Sequence, residues 1–230
     1  MWTVLCTLLH LCVCALLCGA DSDVQLRDGM APFLVKFHSV NFRNVLHWRQ
    51  HPKPPKDLRY FVQYKVYGDT QWNVCKSCQA IHQLQCDLSQ ETADPRQWYY
   101  ARIQARSSSG VSPWVISSRF YPQWDTTFSP PKLRLNVTDQ GIVVWIKPPR
   151  TPAHGQGNSR VSVTKLLKLT FRIYLTQDGV EQVHETTGCP RKMLIEHLSP
   201  KTMYCIQAET VMPLSVLKSS RSPKSCISTL

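Results

Sequence analysis

Beyond residue 20 the sequence has no apolar run of even ten residues. It therefore offers nothing from which to build a membrane-spanning helix, which needs about 20 mostly apolar residues. The stretch from Ser219 to Leu230 is polar and lacks the hydrophobic tail of a lipid-anchor signal. The first 20 residues lack Lys, Arg, Asp and Glu altogether. What they have instead is an apolar stretch from Val4 to Leu17, broken only by Thr7 and His10, then small residues at Gly19-Ala20 and acidic residues from Asp21. That is the layout of a secretory signal peptide over residues 1–20, with cleavage expected after Gly19 or Ala20; the missing basic residue ahead of the apolar run is its one departure. The expected product is a secreted, extracellular chain with no membrane anchor.

Helical periodicity is nearly absent too, and a period of two takes its place. Phe33, Val35 and Phe37 share a face, as do Asn44, Leu46 and Trp48. Tyr60, Val62, Tyr64 and Val66 alternate with Phe61, Gln63, Lys65 and Tyr67. Tyr99, Ala101, Ile103 and Ala105 alternate with Tyr100, Arg102, Gln104 and Arg106. Leu133, Leu135 and Val137, then Leu169, Phe171, Ile173 and Leu175, repeat the theme in the second half. Short alternating segments separated by Pro, Gly, Ser and Asp predict an all-β chain of antiparallel sandwiches. The expected organisation is a first domain over 21–121, a proline-marked extended linker over 122–131 and a second domain over 132–230, with Trp124 as a wedge between the domains.

Catalytic motifs are missing as well: the sequence contains no nucleophile elbow, phosphate loop or paired carboxylates. Cys75, Cys78, His82 and Cys86 superficially resemble a zinc knuckle, but their loops are short and an oxidising compartment favours disulfides. His47 and His51 sit on a strand running into Pro52, where helical i, i+4 metal geometry is unavailable. No enzyme activity, cofactor or metal is expected.

The formal charge is +12. Up to Pro122 there are 13 basic and 8 acidic residues, and after it 14 and 7, with no polybasic run. This excludes a nucleic-acid tail and reads as a solvated basic surface, with a weak attraction to acidic surface glycans. Six cysteines follow the signal: Cys75, Cys78, Cys86, Cys189, Cys205 and Cys226. Spacing alone leaves their 15 pairings open.

The segment Leu198-Ser199-Pro200-Lys201-Thr202-Met203-Tyr204-Cys205-Ile206-Gln207-Ala208 resembles the L-x-P-x-T-x-Y-x-V-x-A signature of fibronectin type III domains. Its Tyr204 is the tyrosine of a corner, whose hydroxyl pins the turn to upstream backbone. The first half carries, in order, Asn44-Val45-Leu46-His47-Trp48, Tyr60 through Gly68, Trp72, Cys78 with Cys86, Tyr99 through Ala105, and Gly110-Val111-Ser112-Pro113-Trp114. This series is similar to that of the class II cytokine receptors. The resemblance implies two tandem fibronectin type III-like sandwiches at an elbow. It also implies a soluble decoy receptor for a helical cytokine of the interleukin-10 group, with interleukin-22 the expected member. Competing readings are a secreted isoform of a membrane-bound receptor of the family and a fibronectin type III adhesion module.

Tyr67 falls opposite the core face of its strand and Gly68 permits a tight turn after it, so a large aromatic stands at a loop tip. The resemblance places a cytokine-contacting Tyr-Gly pair here. It also implies contacts from Thr92, Asp94 and Arg96, from Ser109 and Gly110, and from Lys165, Met212, Pro213 and Leu214. Lys165 stands where the family more usually has acidic or aromatic residues. Trp48 and Tyr204 are read as structural, and so is Arg102, stacked between Trp72 and Trp114. The resemblance pairs Cys78 with Cys86 and Cys205 with Cys226. It leaves Cys75 and Cys189 to pair with each other, stay free or cross-link chains. Asn136, opposite Leu135 and Val137 in Asn136-Val137-Thr138, is the expected glycosylation site.

Overall fold

The computed structural model describes residues 29–154, 159–213 and 215–230, so the signal-peptide expectation for residues 1–20 and the contact expected of Leu214 lie outside the described residues. Strand is the dominant regular structure of the described chain, which gathers into two compact units. One comprises residues up to Phe37 with Val45–Glu91 and Trp98–Phe120; the other comprises His38–Asn44, Thr92–Gln97 and Tyr121–Leu230.

Strands β1 (Phe33–Val40), β2 (Arg43–Arg49) and β5 (Gln85–Asp87) are ordered β5-β2-β1. A second sheet is built from β3 (Arg59–Val66), β4 (Asn73–Val74), β6 (Tyr99–Ser107) and β7 (Gly110–Val111), with β8 (Val115–Ile116) also pairing β6. The alternation read from β6 holds: Tyr99, Ala101, Ile103 and Ala105 are all buried. Ala101, Ile103 and Ala105 join Leu46, Trp48, Tyr60, Val62 and Leu88 in one core. Each large side chain fully removed from water contributes about 1.5–3 kcal/mol, so this layer is what holds the unit together.

The second unit has one sheet of β10 (Lys132–Thr138), β11 (Gly141–Lys147) and β16 (Lys192–Ile195). Another is ordered β15-β14-β17-β18, from β14 (Thr170–Gln177), β15 (Val180–Glu185), β17 (Met203–Val211) and β18 (Ser225–Ser228). Strands β12 (Arg150–His154) and β13 (Arg160–Ser162) form a separate ribbon. Ile142, Val144, Ile146, Phe171, Ile173, Leu175 and Ile206 fill the core between the two sheets. Tyr204 is buried with them, and its hydroxyl accepts the Ser199 backbone N–H at 3.0 Å, closing the corner.

The segment expected to be extended from Pro122 is instead a single helical turn, α1 (Pro122–Asp125). Proline is tolerated at a first helical position because its missing N–H would be unpaired there anyway. The Tyr121 backbone N–H bonds back to the Asp125 carboxylate at 2.6 Å. Strand β9 (Thr126–Thr127) follows and pairs in parallel with Ser39 and Val40 of β1. Trp124 on the turn is exposed.

The bridges Cys78–Cys86 and Cys205–Cys226 are formed, with S–S distances of 2.02 and 2.03 Å. Cys75 and Cys189 are free thiols. The sulfurs of Cys75, Cys78 and Cys86 lie within 4.8 Å of one another, but two of the three are joined in a disulfide and cannot act as thiolate ligands. The His82 ring nitrogen Nδ1 lies 2.9 Å from the Leu58 carbonyl, away from that cluster.

Candidate cytokine-binding loops

In the first unit Tyr67 directly follows β3, with its backbone N–H donated to the Trp98 carbonyl at 2.7 Å. Its side chain is 59% exposed. Gly68 follows at φ +95°, a conformation that L side chains rarely adopt, so the turn that presents Tyr67 depends on glycine. The Tyr67 ring is braced rather than loose. The Tyr100 ring lies 6.3 Å away and the Arg119 guanidinium 5.8 Å from its centroid. Arg119 also stacks 4.0 Å over Trp98, itself 37% exposed. Tyr67, Trp98, Tyr100 and Arg119 thus make one aromatic and cationic surface cluster. Trp98 and Arg119 were missed by sequence reasoning; the aromatic run Trp98-Tyr99-Tyr100 was the available signal.

Ser109 lies in the turn between β6 and β7, and Gly110 opens β7. The Ser109 hydroxyl lies 2.7 Å from that of Ser107, and the neighbouring Ser108 N–H is held by Asp57 at 2.6 Å. That bond, formed with the charged carboxylate, keeps the Asp57 carboxyl below its ordinary value. Behind the surface, the Arg102 guanidinium sits 4.4 Å from the ring centroids of both Trp72 and Trp114. Gln63, its partner across β3, accepts from Nε and Nη2 at 2.8 and 2.6 Å. Trp48 is buried in the core, edge-on to Tyr60.

In the second unit the expectations divide. Thr92 is 1% exposed, and its hydroxyl accepts from Asn44 Nδ2 at 2.8 Å. Asn44 in turn meets the Ser39 hydroxyl, which lies 2.8 Å from that of Thr126. A buried hydroxyl in a satisfied network has no face to offer a partner, so Thr92 is corrected from a contact to a support. Asp94 and Arg96 do reach the surface. Asp94 caps the turn by accepting the Arg96 backbone N–H at 2.9 Å. Met212 is 7% exposed and packs with Phe42, Phe128, Val163, Leu167 and Leu169. It too is a correction: its thioether fills the core, whereas Val216 further along that loop is 96% exposed. Lys165 and Pro213 are exposed and line one shallow concavity of about 500 Å³ together with Leu166, Lys168, Gly188 and Cys189. Lys165 stands on a 3-10 turn over Val163–Lys165, started by the Ser162 hydroxyl accepting the Thr164 N–H at 3.3 Å. Asn136 is exposed on β10.

Two sandwiches of this pattern define a tandem fibronectin type III module. The family model for tissue factor matches residues 8–114, and that for the interferon-alpha/beta receptor fibronectin type III domain matches residues 126–230. Mouse interleukin-22 receptor subunit alpha-2 is 33% identical over 214 residues, spanning 92% of this chain and 93% of the relative. The human alpha-2 subunit is 28% identical over 249 residues with the same coverages. Mouse interleukin-20 receptor subunit alpha is 31% identical over 207 residues, covering 86% of this chain and 37% of that one. The chicken interferon gamma receptor alpha chain shares the fold, with a TM-score of 0.70 at 23% identity over 86% of this chain and 97% of that chain. The chain belongs to the class II cytokine receptor family, whose fibronectin type III domains are binding modules rather than enzymes.

Proposed function

We propose that this protein is a secreted, soluble receptor that binds a helical cytokine of the interleukin-10 group, interleukin-22 foremost, and withholds it from the signalling receptor. The observation that carries the reading is Tyr67, a large aromatic exposed at a glycine turn yet braced by Arg119 and Tyr100. A tyrosine held in this way adds buried area on binding at small entropic cost, which is the character of an interface anchor. Interleukin-22 is favoured because the mouse, rat and human interleukin-22 receptor alpha-2 subunits are 28–33% identical to this chain over 92% of it.

The proposed contact residues in the first unit are Tyr67, Gly68, Ser109 and Gly110. In the second they are Asp94, Arg96, Lys165 and Pro213. Tyr67→Ala is expected to weaken interleukin-22 binding by about 2 kcal/mol or more, roughly thirtyfold in Kd. Calorimetric titration of the folded variant checks this, and an unchanged Kd contradicts the assignment of Tyr67.

A further inference from the structure

The basic excess of the sequence gives no sign of clustering, yet the fold of the second unit gathers much of it on one face. In the β10-β11-β16 sheet, Lys132 pairs with Lys147, Arg134 with Trp145, and Trp145 with Lys192. Alternation turns these outward, because Leu133, Leu135, Val144, Ile146 and Met193 pack into the core from the other face. Four cations therefore surround one exposed indole, and the Lys192 ammonium lies 5.4 Å from its ring centroid. Arg150, Lys165 and Arg191 extend the set around a concavity of about 640 Å³ that Lys132, Arg134, Lys147 and Trp145 also line. No carboxylate lines it among the described residues.

The other sheet of the same unit is built differently. There Arg172 meets Glu185 at 2.6 Å and Glu209 at 3.0 Å, Lys218 lies 3.9 Å from Glu209, and Arg221 meets Glu181 at 2.7 Å. The acidic groups neutralise that sheet's cations. None of the seven cations on or bordering the β10-β11-β16 face takes part in an ion pair among the described residues.

We propose that this face binds a linear sulfated polysaccharide of the glycosaminoglycan class. Cations fixed on strands stand about 5 Å apart across the sheet and about 7 Å apart along it, a lattice suited to a polymer bearing repeated anions. The indole at its centre offers an apolar platform for a sugar ring, as aromatic faces do for flat or weakly polar groups. A concave face with no apolar tip is poorly shaped to enter a lipid surface. A single exposed indole is a small stacking platform for a nucleic acid, which uses an aromatic for successive bases. This surface shares only Lys165 with the proposed cytokine contacts, and the variants that test it leave Lys165 in place.

The test is affinity chromatography and a binding titration of the purified full-length protein on heparin and heparan sulfate. Desulfated heparin, single-stranded DNA and phosphatidylserine vesicles at matched charge concentration serve as comparisons. The wild type is expected to be retained on heparin at about 0.15 M salt, with an affinity falling steeply as salt rises. R134S/K147S/K192S should weaken heparin binding at least tenfold with an unchanged melting temperature, and desulfated heparin should not bind. Asn136 lies one row further along the same face, paired with Val143, so both wild type and Asn136→Gln are run. Equal heparin affinity for wild type and the triple variant overturns the proposal. So does binding confined to Asn136→Gln, or DNA or vesicle binding as tight as heparin.

Discussion

Several single residues have roles that follow from burial rather than from type. Burial pushes the Cys189 thiol up to about 11 from an ordinary value of 9.0, and its sulfur faces the Leu169 carbonyl at 3.0 Å. Burial raises Cys75 as well, beside Glu91 and 3.7 Å from the Cys86 sulfur. At about pH 8 such a thiol carries far less thiolate than an ordinary one, so alkylation of Cys189 should be slower than that of an unburied thiol. Mass spectrometry after timed iodoacetamide treatment measures this, and labelling of Cys189 at the rate of a free thiol contradicts it. Burial likewise pushes Tyr60 up to about 12. Both groups hold their protons more tightly folded than unfolded, so the unfolded chain ionises first. Stability is therefore undiminished below about pH 9 and falls as the pH rises through about 11 and 12. Thr92 and Met212 show why loop residues mislead: position in a loop suggests exposure, whereas Asn44 and the Phe42–Phe128 cluster draw these two inward.

At the level of the element, strands were legible because alternation is a direct imprint of one buried face, as β3, β6, β10 and β14 illustrate. The turn α1 was not, because four residues carry no helical period and a proline at its start reads equally well as extended chain. Nor were the serines that edge both sheets. Ser112 and Ser117 accept the backbone N–H groups of Ala105 and Ala101 at 2.9 and 3.1 Å. In the second unit, Ser219 and Ser222 accept those of Thr210 and Ala208 at 2.9 and 3.0 Å. These hydroxyls replace carbonyls where the outer segment departs from regular pairing, and a serine in sequence reads only as loop. Gly141 opens β11 at φ +139°, where an added Cβ would overlap the Ile195 carbonyl oxygen of the neighbouring strand. Gly141→Ala is therefore expected to cost about 1–3 kcal/mol through forced movement of β16. Urea unfolding measures it, and a loss below a few tenths of a kcal/mol would mean that the strand yields freely.

For the whole molecule, composition and spacing carried the sandwich pair, and the ordered motifs carried the family. The distribution of charge escaped that reading. Lys132 and Lys192 are far apart in sequence, and only the pairing of β10, β11 and β16 makes them neighbours of one tryptophan. The Tyr67 turn was legible because Gly68 and the strand register are local features. Its bracing by Arg119 was not, since that contact crosses from a distant stretch of sequence. The central claim is that this receptor module captures an interleukin-10-group cytokine in solution. The direct measurement is a titration of the purified protein, with both disulfides formed, against interleukin-22 and its group, read alongside signalling in receptor-bearing cells. Saturable one-to-one binding of interleukin-22 that extinguishes the cellular signal in proportion to complex formed is the predicted result. Binding to no member of the group, or binding that leaves the signal intact, contradicts it.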